Sequence, residues 1–367
     1  MTERESRGLQ IAQAKESQVN RVEENFFTVK SQSGNGDYAV FMVDGEWHCE
    51  CPDHTYRHVK CKHLYALEFS QKMKEQVRQS VVIQQLSTAN CVFCSSDNIV
   101  KDAIRHNKRG DIQRYLCKSC GKRFSVNIGF EKMKATPQVI TSAMQLYFTG
   151  ESFRNVQKFF KLQGVTVDHS TVLRWVKKYV RLMQSYVEKI KPNVSDTWRA
   201  DELYIKVKGD MKYLFAMMDD ETRFLIAQEL AETKEKHDAR VLFFRAKRLM
   251  GKQPKTLITD GLPSYSVACE QVFEGTQHIR KITFNGKCHN NNKMERVNGE
   301  IRDREKTMRG LKQKRTTVLT GYQLYHNYIR PHEGLNGKTP AEACGIQIEG
   351  QDKWKTLIEN ASKNRLR

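Results

Sequence analysis

Seven of the ten cysteines fall between residues 49 and 120, and they stand in close steps: Cys49 and Cys51 as CxC, Cys61 followed by His63 as CxH, Cys91 and Cys94 as CxxC, Cys117 and Cys120 as CxxC. Such spacing turns the backbone so that neighbouring side chains aim at one point, and thiolate with imidazole is the donor set of tetrahedral structural zinc. Disulfides, the other common use of paired cysteines, need an oxidising compartment. The start MTERESRGLQ carries acids and no apolar run, and no stretch approaches the ~18 apolar residues of a membrane span. The expectation is a soluble, cytoplasmic protein with no membrane partner and with two structural zinc ions, one per cysteine group. Thioredoxin-like redox chemistry would place a CxxC at a strand-to-helix junction of a βαβ unit, and neither CxxC stands in such a pattern.

The first group, CECPDHTYRHVKCKH, follows FFTVKSQSGNGDYAVFMV, which alternates like a hairpin around Gly34-Asn35-Gly36, and it leads into KCKHLYALEFSQKMK, which reads as a helix. CxC, a nine-residue gap and CxH resembles the SWIM zinc finger, whose ligands map to Cys49, Cys51, Cys61 and His63. His48, His54 and His58 are nearby competitors, read as surface residues or as donors to the ligands. In the second group twenty-two residues separate CVFC from CKSC, and IQRYLCKSCGKRFSV looks like the second knuckle of a zinc ribbon, with Arg114, Lys118, Lys122 and Arg123 around Cys91, Cys94, Cys117 and Cys120. Cys269, Cys288 and Cys344 are left as plain thiols.

Charge names the partner class. Sixty-two Lys and Arg against 42 Asp and Glu give +20 and an isoelectric point near 9.5, which favours nucleic acid over membrane. The excess is concentrated: residues 101–124 hold eight basic and two acidic residues, and residues 286–332 hold eleven and four. Two separate surfaces could therefore meet phosphate.

From Thr136 the texture is helical: TPQVITSAMQLYFTG, SFRNVQKFFKLQG and DHSTVLRWVKKYVRLMQSYVEKI. Pro137 suits a first turn, Gly150 and Gly164 end the first two helices, and Ser152 and Asp168 cap the second and third. Three helices with tight turns and a basic last member suggest a helix-turn-helix. In that reading His169, Ser170, Arg174 and Lys177 face DNA, Val172, Leu173 and Val176 face inward, and Trp175 is core.

After Pro192, TWRADELYIKVKG, MKYLFAMMDD and RFLIAQEL read as successive strands, KHDARVLFFRAKRLM as a helix and KTLITDG as a buried strand ending at Asp260. Three antiparallel strands, a helix and a strand parallel to the first is the order expected of a ribonuclease-H-like sheet. Asp201 then lies in the first strand, Asp260 ends the fourth, and Glu295 opens the helix KMERVNGEIRDREK, with thirty-four residues between the last two acids. Carboxylates converging from those places can hold two magnesium or manganese ions ~3.5–4 Å apart, an arrangement suited to in-line attack at a phosphodiester. Arg302, two turns after Glu295 on the same helix face, could position a DNA phosphate.

WRADELYIKVKG, ITDG, HNNNKMERVNGEIRDREKTMRGLK and YHNYIRPHEGLNGKTPAEACG resemble the DDE transposases of prokaryotic insertion sequences, most closely the insertion-sequence-six type, over roughly residues 130 to 345. The resemblance implies an acidic triad of Asp201, Asp260 and Glu295 and a basic partner at Arg302, while Glu202, Asp219, Asp220 and Glu300 fall outside it as flanking or structural acids. It further implies a nucleoid-associated enzyme, dimeric or larger on double-stranded DNA, that binds the terminal repeats of its element and cuts and joins target DNA. A regulator descended from a transposase and a nuclease without strand transfer are the rival readings. The expected fold is multidomain α/β: a SWIM-like finger over residues 1–80, a four-cysteine ribbon over 86–130, a helix-turn-helix over 134–190, a mixed five-stranded ribonuclease-H-like core over 194–345 and a tail over 346–367. Compact members of the family lack the SWIM-like part.

Overall fold

The computed structural model describes residues 2–14, 18–23, 25–32, 34, 36–43, 45–77, 81–86, 90–107, 110–125, 127–280, 292–308, 311 and 317–365. The chain divides into two compact units, Met1–Gln79 and Ser80–Arg367.

The first unit opens with α1 (Glu3–Gln13), where the Thr2 hydroxyl accepts from the Glu5 backbone N–H while the Glu5 carboxylate accepts from that of Thr2. This reciprocal cap nucleates a helix in a segment that has few apolar residues to announce one. Four antiparallel strands follow in spatial order, β1 (Val19–Glu23), β2 (Phe26–Lys30), β3 (Asp37–Val43) and β4 (Glu46–Cys49). The expected hairpin is β2–β3, in a register that pairs Phe27 with Val40 and buries both. The short α2 (Pro52–Arg57) and the long α3 (Lys62–Val77) complete the unit. Helix α1 lies so close to α3 that a Cβ at Gly8 would stand 2.5 Å from that of Tyr65, so only glycine fits there.

The second unit begins with β5 (Val81–Ile83) and the three-stranded antiparallel sheet β6 (Ile99–Asn107), β7 (Gly110–Cys117) and β8 (Arg123–Ser125). Three capped helices come next: α4 (Pro137–Thr149), α5 (Phe153–Leu162) and α6 (His169–Val187). Thr136, Ser152 and Asp168 each accept a backbone N–H from the first turn that follows, so each helix starts where its capping residue stands. The larger sheet is β9 (Thr197–Val207), β10 (Asp210–Asp219) and β11 (Leu225–Ala231), then, beyond α7 (Lys236–Met250), β12 (Thr256–Thr259), α8 (Pro263–Val272) and β13 (Gln277–Arg280). Its order is β11-β10-β9-β12-β13, antiparallel through β9 and parallel from β9 to β13, the five-stranded ribonuclease-H-like arrangement. Leu203, Ile205 and Val207 are buried while Tyr204 and Lys206 between them are exposed, the period-two pattern of a strand with one covered face.

The chain ends in α9 (Asn292–Met308), α10 (Thr317–Leu324), which runs into a π turn at Tyr325–Ile329, α11 (Pro340–Ala343), β14 (Ile346–Ile348) and α12 (Lys353–Arg365). Residues 346–365 are therefore no tail. Strand β14 pairs in parallel with β5, and Trp354 of α12 is buried against Phe148 and Tyr325, its indole N–H donating to Gln145 at 2.8 Å. Strand β5, some 260 residues earlier in the chain, supplies the backbone partner, a pairing too distant in sequence for local patterning to reveal.

Candidate active site

The register of the sheet brings the first two acids together. Strand β12 runs parallel to β9 with Thr256 beside Thr197 and Ile258 beside Arg199, so two residues further on Asp260 comes level with Asp201. Asp201 is 9 % exposed, whereas Asp260, just past the end of β12, is open to solvent and accepts from the Leu262 N–H at 3.2 Å.

Helix α9 packs against β9 and is fixed at both ends of its first two turns. Lys293 donates to the Asp220 carboxylate at 3.0 Å and to its carbonyl at 2.9 Å, Asp220 also pairs with the buried Arg199, and Met294 and Val297 are buried. On the face turned to the sheet, the Asn298 amide donates to Asp201 at 2.8 Å. Glu295 lies one turn earlier on that side of the helix and is exposed. Burial, then the negative charges of Asp260, Glu202 and, less strongly, Glu295, push the Asp201 carboxyl up to about 7.

Among the described residues, the carboxylates with oxygens within 4.8 Å of one another at this site are Asp201, Glu202 and Asp260. Glu295 stands outside that group although near enough to act on Asp201. Glu202, set aside in the sequence as a flanking acid, is held from behind: its side chain is 6 % exposed, accepting from the Tyr265 hydroxyl at 2.9 Å and from Lys234 at 3.2 Å. Asn298 and Glu202 are the residues that sequence reasoning passed over. Asn298 carries one signal, its i+3 spacing from Glu295; Glu202 adjoins Asp201 and would be expected to point to the other face of the strand.

The other acids hold the frame. Asp219 accepts from the backbone and hydroxyl of both Ser195 and Thr222, closing the turn after β10. Glu300 accepts from the Tyr322 hydroxyl at 2.6 Å and pairs with Arg330. Arg302 is exposed two turns beyond Glu295. Arg304, buried, sets its guanidinium 4.5 Å over the Tyr147 ring and so ties α9 to α4.

Both cysteine groups close into cages. Cys49 at the end of β4, Cys51 before α2, Cys61 before α3 and His63 on α3 are all buried, with ligand atoms within 4.8 Å of one another. His63 Nδ1 faces the sulfurs of Cys49 and Cys61 at 3.7 and 3.9 Å, and a hydrogen bond from Cys49 holds the Cys61 thiol down at about 4. Three soft sulfurs and an imidazole suit zinc. His54 Nδ1 instead faces the Val59 carbonyl, and His58 is an exposed left-handed residue ending α2. In the ribbon Cys91 approaches Cys120 at 3.7 Å and Cys94 approaches Cys117 at 3.5 Å, an all-sulfur set of equal suitability. Cys269 and Cys344 are buried thiols, and Cys288 lies outside the described residues.

On α6, Ser170, Arg174 and Lys177 are exposed and His169 is half-buried. Val172, Trp175 and Val176 are in the core, as their spacing suggests, but Leu173 is only half-buried, because it stands three residues after Ser170 and four before Lys177, at the edge of the exposed stripe. No helix among the described residues is long and apolar enough to cross a membrane.

Residues 195–332, which contain the carboxylates, match the family described as DDE domain. Two transposases of Staphylococcus aureus, those of the insertion sequence-like element IS431mec and of insertion sequence IS257 in transposon Tn4003, are each 28% identical over 227 residues, covering 60% of this chain and 98% of the relative. Among solved structures, the magnesium complex of the HTLV-2 integrase catalytic core domain is 16% identical, covering 41% of this chain and 94% of that one at a TM-score of 0.31. A simian T-cell lymphotropic virus intasome structure, also 16% identical, covers 54% and 72% at 0.34. Structural likeness at that level carries no weight here. The DDE match over the segment that builds the carboxylate site, and the match to nearly the whole length of the staphylococcal enzymes, show that the chain carries a DDE domain like that of insertion-sequence transposases.

Proposed function

We propose that this transposase recognises the terminal inverted repeats of its element through α6 and the two cysteine modules, and that Asp201, Asp260 and Glu295 hold two magnesium or manganese ions for strand cleavage and strand transfer. The observation that carries this reading is the meeting of Asp201, Asp260 and α9: two carboxylates aligned by sheet register, with the helix bearing Glu295 bonded to the first of them through Asn298. Hard carboxylate oxygens suit such ions, and a divalent charge would relieve both the burial and the repulsion by neighbouring acids that raise Asp201. Ions held there would supply activation of a water or 3′-hydroxyl and charge stabilisation of the leaving oxygen.

The chain's own residues have separate tasks. Asn298 fixes the orientation of Asp201, leaving its other oxygen to accept from the Glu202 N–H at 3.0 Å. Glu202, restrained by Lys234 and Tyr265, adds negative charge behind the site. Arg302 holds a phosphate of the bound strand, its exposed guanidinium following the same stripe of α9 as Glu295. The zinc ions, held by Cys49, Cys51, Cys61 and His63 and by Cys91, Cys94, Cys117 and Cys120, stabilise the modules and take no part in the chemistry. The enzyme works as a dimer or larger assembly on DNA in the bacterial cytoplasm, in contact with the nucleoid.

The test uses duplexes carrying the DNA that borders this gene, incubated with full-length protein and magnesium. Cleavage at the repeat boundary followed by joining of the 3′-hydroxyl to a second duplex is the expected result. Cleavage without joining would replace transposition with nuclease action, and sequence-specific binding without cleavage would replace it with regulation.

A further inference from the structure

Helix α6 is longer than recognition alone needs. From Arg174 to Lys189, just beyond its end, is a run of about 22 Å at ~1.5 Å per residue, nearly twice the ~12 Å width of a major groove. A helix whose first turns lie in the groove must therefore carry its last turns out over the phosphates. Those turns carry basic side chains, with one acid, Glu188, which accepts from Gln184. Arg181 continues the exposed stripe of Arg174 and Lys177, and Lys178 and Lys189 flank it on the side where α12 packs.

Between α6 and α12 runs an open groove of about 500 Å³ lined by Lys178, Arg181, Ser185, Tyr186, Lys189 and Asn364, among others, with no carboxylate among the described residues of its walls, although Glu131 attracts Lys178 from outside them. None of the three cations has an ion-pair partner among the described residues. Lys178 donates instead to the Met133 sulfur at 3.3 Å and lies 4.9 Å over the Tyr179 ring, and burial lowers its affinity for its proton. Lys178 and Arg181, three residues apart on α6, are neighbours of like charge, and an anion laid between them would lower the cost of that pairing. The basic hollow on the ribbon face differs: there Arg123 is already paired with Asp102, and Glu131 lines the wall beside Arg105 and Arg114.

We propose that the α6–α12 groove is a binding site for the sugar-phosphate backbone of duplex DNA, gripping the strand next to the bases that the start of α6 faces. The assignment rests on the reading of α6 as the recognition helix and extends it to the C-terminal segment. Helix α12 supplies one wall, and Asn364 adds a polar group there. Its packing on α6 and α4 fixes the spacing of the groove.

The experiment uses the full chain with Lys178, Arg181 and Lys189 all changed to Gln, titrated with a random-sequence duplex over a range of salt concentrations. Binding at moderate salt should weaken by roughly 10- to 100-fold, and the slope of log affinity against log salt should fall by about two to three. The preference for DNA bordering the gene over random sequence should persist, since phosphate contacts carry no sequence information. An unchanged slope and affinity would overturn the proposal. So would an unchanged slope with loss of preference, which would mean that the groove reads bases, or a change in the mass of the DNA-free protein, which would mean that it seats a second copy. The variant with Lys178→Arg and Lys189→Arg keeps the charge and should bind like the parent; equal loss there would assign the effect to packing. Arg174→Ala separates the two readings: if it leaves sequence preference intact, the recognition-helix assignment falls, while the salt slope of the triple variant still judges the groove.

Discussion

The cysteine cages and the carboxylate site are both clusters of metal-ligating side chains, and they are built in opposite ways. Each cage draws its ligands from a short span, residues 49–63 or 91–120, and all its members but Cys94 and Cys120 are buried. The carboxylate site gathers residues from 201 to 295 on three elements, buries Asp201 and leaves Asp260 and Glu295 in solvent. A closed cage of soft donors contributes folding energy to a module too small for a large core, whereas an open face of hard donors can admit a substrate that brings its own phosphate oxygens.

The largest effect that could break this contrast is loss of a cage. Cys117→Ser should lower zinc content from two ions per chain to one by elemental analysis and expose the ribbon to proteolysis, since apparent zinc-coupled folding energies reach roughly 10 kcal/mol or more. Cys61→Ser should do the same to the first unit while the ribbon keeps its zinc. Retention of both ions in either variant would mean that the cages are ordinary buried thiols.

Changes at the open site should damage chemistry and spare the fold. Asp201→Asn and Glu295→Gln are each expected to cut end cleavage in magnesium by on the order of 10³-fold, the equivalent of several kcal/mol of transition-state stabilisation, with DNA binding and the thermal midpoint retained. A variant that unfolds instead would make this site structural too.

Glu359 separates burial from crowding, because on α12 it is 3 % exposed and burial pushes its carboxyl up to about 7 in spite of Lys355 at 3.8 Å. Its pKa is thus higher folded than unfolded. The folded chain takes up the proton first, so this group lowers stability above pH 7, and the penalty disappears as pH falls toward the unfolded carboxylate value. Glu359→Gln should raise the thermal midpoint at pH 8, by an amount worth up to about 3 kcal/mol, and much less at pH 5. An equal change at both pH values would show that charge burial is not the cause.

The smallest effect is expected at Glu300, which shares α9 with Glu295 but is bonded to Tyr322 and Arg330. Glu300→Gln should cost roughly 1–2 kcal/mol in denaturant unfolding and leave the cleavage rate of folded protein within a few-fold. If it abolished cleavage while Glu295→Gln did not, the functional face of α9 would be the opposite one.

What was legible in the sequence was chemistry repeated at short range. Ligand steps of two and three residues, the caps Ser152 and Asp168, and the periodicity that bounds α7 at Lys236–Met250 act between neighbours, and each acts the same way wherever the chain later goes. The three acids could be named from the strands and helix expected to carry them, but their distances could not. That Asp260 comes level with Asp201 is decided by the β9–β12 register, and that Asn298 reaches Asp201 by how α9 packs on β9. The placing of Glu202 against Tyr265 and Lys234 rests on α8 and on the loop before α7.

The N- and C-terminal elements show the same division. Helix α1 is mostly polar and depends on one reciprocal cap and on the glycine that lets it touch α3. Residues 346–365 look like a polar tail because the surfaces that bury Trp354, Leu357 and Ile358 belong to elements far away in the chain. The sequence by itself determined where cysteines could pair, where helices begin and which acids could serve a phosphodiester, since these depend on bonds and spacings within a turn or a strand. Only the tertiary structure decided which oxygens face one another, what backs α6 and where its basic side chains gather, because those depend on contacts whose formation costs chain entropy that the whole core must offset.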